Sequence, residues 1–380
     1  MACSNHKLSI EAGLQVSRYS KPSGRQRTEL KLKLRGESVS TRVEVSADAY
    51  KAFEEIELRG WGDGLPIIPP TEELVDAFVT ASSRSGSEVL AVLAPTWAEA
   101  TVEKVAINAV MAGCRPEYMP VICAGVRAIA DEPFNLYAIQ TTTHPCAVLL
   151  IVSGPISTTL QMNSGYGAFG PGNRANASIG RAMRLVLMNI AGAKPGVLDR
   201  ATQGGPAKYT FCVAENEKAS PWPSFRESLG FKSTDSLVTV VAGESPHNIN
   251  DHGSTSADGL LRQIAGTMAT PSNNNTYMKG DSYLFIGPEH ARLLADGGLS
   301  REDVQRYLFD HATVPFDRFS AGQLEHISGG FGSAQKAVAN EAIHLGVSSD
   351  DIKVLVVGGD GRHSCWVPTF GMSKSCSEVA

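Results

Sequence analysis

Ser236-Leu237-Val238-Thr239-Val240-Val241-Ala242-Gly243 runs straight into Glu244-Ser245-Pro246-His247-Asn248-Ile249-Asn250-Asp251-His252. A second run, Ile352-Lys353-Val354-Leu355-Val356-Val357-Gly358-Gly359, ends the same way in Asp360-Gly361-Arg362-His363-Ser364-Cys365-Trp366. Both are short, nearly uninterrupted apolar stretches rich in β-branched residues, the pattern of strands buried on both faces. Both stop abruptly in polar turns that carry histidine. Outward from these two, NLYAIQ (135–140) leads to Thr141-Thr142-Thr143-His144-Pro145-Cys146, and YLFIG (283–287) leads to Pro288-Glu289-His290. Helical patterns lie between the runs, so the expected fold class is α/β: mostly parallel sheet or sheets flanked by helices, with room for two α/β subdomains. In open α/β sheets ligands bind beyond the carboxyl ends of the strands. Histidines 144, 247, 290 and 363 at such ends favour an enzyme over a scaffold.

The chain has 380 residues, 42 % apolar and 19 % charged, which fits a globular protein of one large body or several domains. A net charge of −5 with no basic stripe gives no reason to expect nucleic acid. No apolar run reaches the roughly 18–20 residues of a membrane span. Seven cysteines, at 3, 114, 123, 146, 212, 365 and 376, show no CxxC or zinc-ribbon spacing and read as free thiols of a reducing compartment. Residues 1–45 are basic and Ser-rich with little periodicity. They read as a disordered leader, with an organellar transit peptide as the lesser alternative. The α/β body is expected over 46–380, with a weak subdomain boundary within 155–235 and a cytoplasmic location.

Local signals place the elements. Ser46 is expected to cap a helix to about Leu58, Thr71 a second, with Glu72 and Glu73 favourable to its dipole, and Thr96 a third closing near Gly113. EVLAVLA (88–94) reads as a strand, and Pro116 opens a further helix. Helices are expected over 173–192, 256–269 and 334–345, and from Ser300, which forms a capping box with Asp303. Strands are expected near 208–214, 236–242, 283–287 and 352–358, and in two runs within 135–153.

Three groups of residues suggest chemistry. The densest glycine loop, with Asn163, Gly165, Gly167, Gly170 and Gly172, opens into a helix carrying Arg174, Asn176, Arg181 and Arg184. Helix N-terminal N–H groups and a forked guanidinium suit a carboxylate or phosphate, so this loop is the candidate substrate site. His247, Asp251 and His252 offer the donor mix of a zinc or iron site, and equally of an acid–base site or an Asx-turn network. Cys365 has Arg362 and His363 beside it, and a cation next to a thiol favours thiolate. Cys146 beside His144 has a similar claim, while Cys114, Cys123 and Cys212 read as core. Glu215-Asn216-Glu217 is a further candidate base or a solvated loop.

LVVGGDGRHSCW resembles the end of the UGSC-motif family, whose selenocysteine-Gly-Ser-Cys signature follows a strand and a Gly-Asp turn. WGDGLPIIPPT, NAVMAGCRPEYMPV, NSGYGAFGPGNRANASIGRA and SPHNINDHGS are similar to segments of the long bacterial proteins grouped with it, so the resemblance covers roughly residues 46–370. Ser364 and Cys365 match the signature's last two residues. His363 replaces its glycine, Arg362 stands at the selenocysteine position, and Gly361 is an extra residue. The resemblance implies an α/β enzyme in which only Cys365 inherits a catalytic role.

Together these readings anticipate an enzyme acting on a small anionic organic substrate. Thiol-dependent redox chemistry at Cys365 comes first, with His363, His247, His252 and His144 as acid–base groups. A metal-dependent hydrolase or lyase using His247, Asp251 and His252 is the alternative, its cofactor a divalent ion such as Zn or Fe. A third reading is a non-catalytic small-molecule-binding or assembly protein. Expected partners are the substrate and, for a homo-oligomer, a second copy of the chain, with neither nucleic acid nor membrane.

Overall fold

A computed structural model describes residues 14–16, 40–330, 338–339 and 342–380. Most of the basic leader and much of the helix expected over 334–345 lie outside the described residues. Where that second segment is described, it forms strands Val338–Ala339 and Ala342–His344 instead.

Two four-stranded sheets organise the chain. In the first, the order is Cys376–Val379, Leu237–Gly243, Ala147–Ser153, Cys212–Ala214; in the second it is Ile352–Val356, Ser282–Ile286, His363–Val367, His247–Asn250. The α/β alternation is as expected, while the pairing is mixed. Each sheet has one parallel pair, Ala147–Ser153 with Cys212–Ala214 and Ile352–Val356 with Ser282–Ile286, and two antiparallel ones.

Strand alternation explains the layering. In Ala147–Ser153, Val148, Leu150 and Val152 face one core, while Ala147, Leu149 and Ile151 face another. The first core lies under helices Val102–Met111, Met119–Ala128 and Arg174–Asn189. The other face meets Tyr283, Phe285, Leu355 and Val367 of the second sheet. Beyond that sheet, Leu284, Ile286, Val354 and Trp366 pack under helices Ala257–Met268, Pro288–Asp296 and Arg301–His311. The architecture is therefore four layers, helix–sheet–sheet–helix, and Leu237–Gly243, Ala147–Ser153, Ser282–Ile286 and Ile352–Val356 are covered on both faces. That is why those strands read as continuous apolar runs. Close approach is built in at Gly125 of Met119–Ala128, where a Cβ would stand 2.9 Å from both Leu150 and Met183.

The chain passes between the sheets right after Gly243, and Cys376–Val379 returns to the first sheet, so the two halves share one central core. Helix caps follow the sequence closely. Thr71 accepts from the Leu74 N–H, and Ser300 with Asp303 forms the capping box. The first helix is capped by Asp48 instead of Ser46. Thr96 does not begin a helix: Ala98–Thr101 forms a strand with Val89–Leu93, and Thr101 is the cap. NLYAIQ is not a strand. Asn135 in the left-handed region (φ 56°) starts helix Leu136–Thr141, which turns Leu136, Ile139 and Gln140 inward at helical spacing.

Candidate functional site

His247-Asn248-Ile249-Asn250 and His363-Ser364-Cys365-Trp366 are not turns but an antiparallel strand pair, with His363 opposite Asn250, Cys365 opposite Asn248 and Trp366 opposite His247. Only Ile249 is buried in the first of them, and such a polar edge strand has no apolar signature. Opposed residues share a face. His363, Cys365 and Asn248 therefore look toward the first sheet, whereas His247 shares the helix-covered face with Ile249 and Trp366. His247, expected as an acid–base group for Cys365, therefore lies on the opposite face from it.

His252 does reach this patch: its Nε2 lies 3.3 Å from Nε2 of His363, whose Nδ1 is 3.0 Å from Asn248 Oδ1. Asp251 turns the other way, Oδ1 accepting from the N–H groups of Gly253 and Ser254. Burial pushes its pKa up, but the Ser254 side chain together with those N–H groups outweighs it and holds it below the usual carboxylate value. His247, Asp251 and His252 thus do not form a metal site, because strand pairing and this Asx turn direct them apart. Among the described residues no three His, Cys, Asp or Glu side chains are grouped to hold an ion.

Cys365 is half-buried against the inter-sheet core, and burial pushes its thiol up to about 12. The expected thiolate is not favoured, since Arg362 gives a hydrogen bond to the Ser254 carbonyl (2.6 Å) and lies 3.8 Å from Glu289. Ser364 points to the opposite face. Its hydroxyl lies 2.8 Å from Nδ1 of His290, a fully buried imidazole whose Nε2–H donates to the Asp251 carbonyl (3.1 Å). Burial lowers the His290 pKa. Its two nitrogens, one accepting and one donating, pin the 251–252 turn to the strand.

The glycine loop is held mainly by its own side chains. Asn176 is buried. It accepts from the Asn163 N–H (3.0 Å) and donates to the carbonyls of Asn163 (2.8 Å) and Ala168 (3.2 Å). Asn163 accepts from the Gly165 N–H (3.0 Å), and Asn173 caps the helix. Arg174, expected to grip an anion, donates to the carbonyls of Gly113 (2.9 Å) and Cys114 (3.1 Å) just past the end of Val102–Met111. The Gly165, Gly167, Gly170 and Gly172 backbone carries Tyr166 onto Gly359, where only glycine leaves room for the ring, and Phe169 edge-on to Phe285 (5.0 Å). The loop thus seals one edge of the inter-sheet core beside Cys365.

Charge gathers elsewhere. Asp199 accepts from Lys208 Nζ (2.7 Å) and Arg184 (3.0 Å), all three groups being largely buried. Asp63, from the WGDG loop, is held by Arg181 in a forked pair (2.7 and 2.8 Å). Asp63, Arg184, Asp199, Lys208 and Tyr209, with the turns at Gly196, Gly204 and Gly205, line a cleft of about 360 Å³. A small void bordered by Arg184, Lys208, Gln140 and Cys146 adjoins it. Two residues before Cys146, His144 places Nε2 2.8 Å from Glu244 Oε1, while its Nδ1 is buried without a partner. The cleft-wall loop is tied to this turn by the Thr202 N–H donating to the Thr143 carbonyl (2.9 Å). Burial pushes Cys146 up to about 12, so it is a neutral thiol. Glu215, buried between the Ser153 hydroxyl and the Phe225 N–H, is raised by burial and serves the first sheet's end.

Sequence reading missed Asp63, Asp199, Lys208 and Glu244 as a group. The one available signal was the Gly/Pro-rich stretch 192–206, which wraps the cleft. Among the described residues no helix is long and apolar enough to cross a membrane. The sequence matches no protein-family model, and no curated protein matches it.

Proposed function

We propose that the protein is an enzyme that binds a small organic anion in the Arg184–Lys208 cleft and acts on it by acid–base chemistry. The observation that carries this reading is the cleft itself. Its volume of about 360 Å³ lies within the range of small-molecule sites. Two cations, Arg184 and Lys208, share one carboxylate, Asp199, while Asp63 is neutralised by Arg181. Counting Arg181 behind the wall, three cations meet two carboxylates, which leaves one uncompensated positive charge at a largely desolvated site, where a carboxylate or phosphate gains most.

His144 is the base in this reading. Its Nε2–H donates to Glu244, which fixes the tautomer, and its Nδ1, buried and outside the cleft lining, takes a proton from the ligand only when the 143–146 turn opens. Thiol-dependent redox chemistry at Cys365 is less well supported, because a thiol at about 12 stays protonated near neutrality. The test is a thermal-shift panel of small carboxylates and phosphate monoesters. A hit should raise Tm in the native protein, and Arg184→Met and Lys208→Met should each weaken it at least tenfold. His144→Gln should keep binding and lose turnover. Equal stabilisation of the native protein and both cation variants would refute the cleft as the site.

A further inference from the structure

The His252–His363 pair plays no part in that reading. The carboxamide oxygen of Asn248 can only accept, so His363 carries its proton on Nδ1 and presents a bare Nε2 lone pair to His252. Both imidazoles are exposed. Two nitrogens about 2.05 Å from one tetrahedral ion stand about 3.3 Å apart, and rings aimed at that ion have centroids about 5.2 Å apart. The observed separations are 3.3 Å between the Nε2 atoms and 5.1 Å between the centroids.

We propose that His252 and His363 form a two-histidine site for a borderline divalent ion such as Zn²⁺, with water in the remaining positions. Such ions suit imidazole donors. Binding needs one change of tautomer, the His252 proton moving from Nε2 to Nδ1, with no proton lost from the protein. Asn248 supplies the outer hydrogen bond that orients a metal-bound histidine. The backbone holds both ligands in place. His363 sits in the strand ladder, and His252 follows the Asp251 turn that His290 pins from below. Arg362, the nearest cation in sequence, is directed to the Ser254 carbonyl and Glu289. With two protein donors the site is open, so water or a ligand's own donor atom completes it, and the ion is held less tightly than in a closed four-ligand site.

The experiment is calorimetric titration of Zn²⁺ alone into the metal-stripped full chain near pH 7.5, with folding of each variant checked by circular dichroism. One ion per chain is expected to bind, with His252→Ala and His363→Ala each weakening it at least tenfold. Asn248→Ala should weaken it about tenfold. His247→Ala, altered on the opposite face of the same strand pair, should leave it unchanged. In parallel, the imidazole Hε1 resonances of His252 and His363 should shift together on Zn²⁺ addition to the unmutated protein, a readout that does not depend on any variant folding. Absence of binding up to millimolar Zn²⁺ overturns the proposal. So does undiminished affinity in the folded histidine variants, or shifts confined to other histidines.

Discussion

Lys279 is fully buried, its Nζ donates to the carbonyl of His344, and among the described residues no carboxylate pairs with it. Burial alone lowers its pKa from 10.5 to about 8. Each decade of pKa is worth about 1.36 kcal/mol, so folding with a charged Lys279 costs roughly 3 kcal/mol at neutral pH. Its folded pKa is depressed, so the unfolded chain binds the extra proton between about pH 8 and 10.5. The cost is therefore complete below pH 8 and disappears as pH rises through that window. Lys279→Met keeps the unbranched stem and removes the charge, giving up one hydrogen bond of about 1 kcal/mol. The variant should be about 2 kcal/mol more stable than the native protein at pH 7, with the advantage falling to about zero by pH 10. Urea unfolding of both proteins at the two pH values, followed by circular dichroism, measures the difference. The buried thiols, Cys114, Cys146 and Cys365 among them, titrate at high pH in both proteins and cancel in it. A stability difference that does not change with pH, or a variant less stable at pH 7, would refute the assignment of a desolvated charge to Lys279.

Asn176→Ala should cost about 2–3 kcal/mol, because it removes three hydrogen bonds that close the glycine loop and leaves the Asn163 and Ala168 carbonyls buried without a donor. Chemical denaturation would show it, and a cost under 0.5 kcal/mol would mean the loop is held by Phe169 packing instead. Cys365, with its thiol pushed up to about 12, should resist iodoacetamide at pH 7.5 in the folded protein and react once it is unfolded. Mass mapping of rapid native-state labelling at Cys365 would contradict the buried neutral thiol.

How legible each part was depended on where its information lies. Leu237–Gly243, Ala147–Ser153, Ser282–Ile286 and Ile352–Val356 announce themselves because burial on both faces requires an unbroken apolar run. The caps at Thr71 and Ser300 are equally local: a side-chain oxygen meets an N–H two or three residues on. His247–Asn250 and His363–Val367 were illegible as strands. Ladder hydrogen bonds form with any side chain, and one polar edge strand buries only Ile249. The same polarity made both segments look like site-bearing turns. Pairing then decided the site, setting His363 with Asn248 and Cys365 on one face and His247 on the other.

Short-range physics writes the apolar runs of the doubly covered strands, most helix starts, the glycine loop opening into Arg174–Asn189, and the alternation that makes the chain α/β. The arrangement of those strands in two mixed sheets packed face to face is set by long-range contacts in the folded chain. Strand direction and partner are chosen by contacts between residues far apart in the chain, from Leu150 with Cys212 to Cys365 with Asn248. The fold also decides which charges meet. Asp63 with Arg181 and His144 with Glu244 are brought together by the layers between them. A lone Asp, Arg or Glu in a loop carries no mark of its eventual partner, because an ion pair depends on distance in space and leaves no periodicity along the chain.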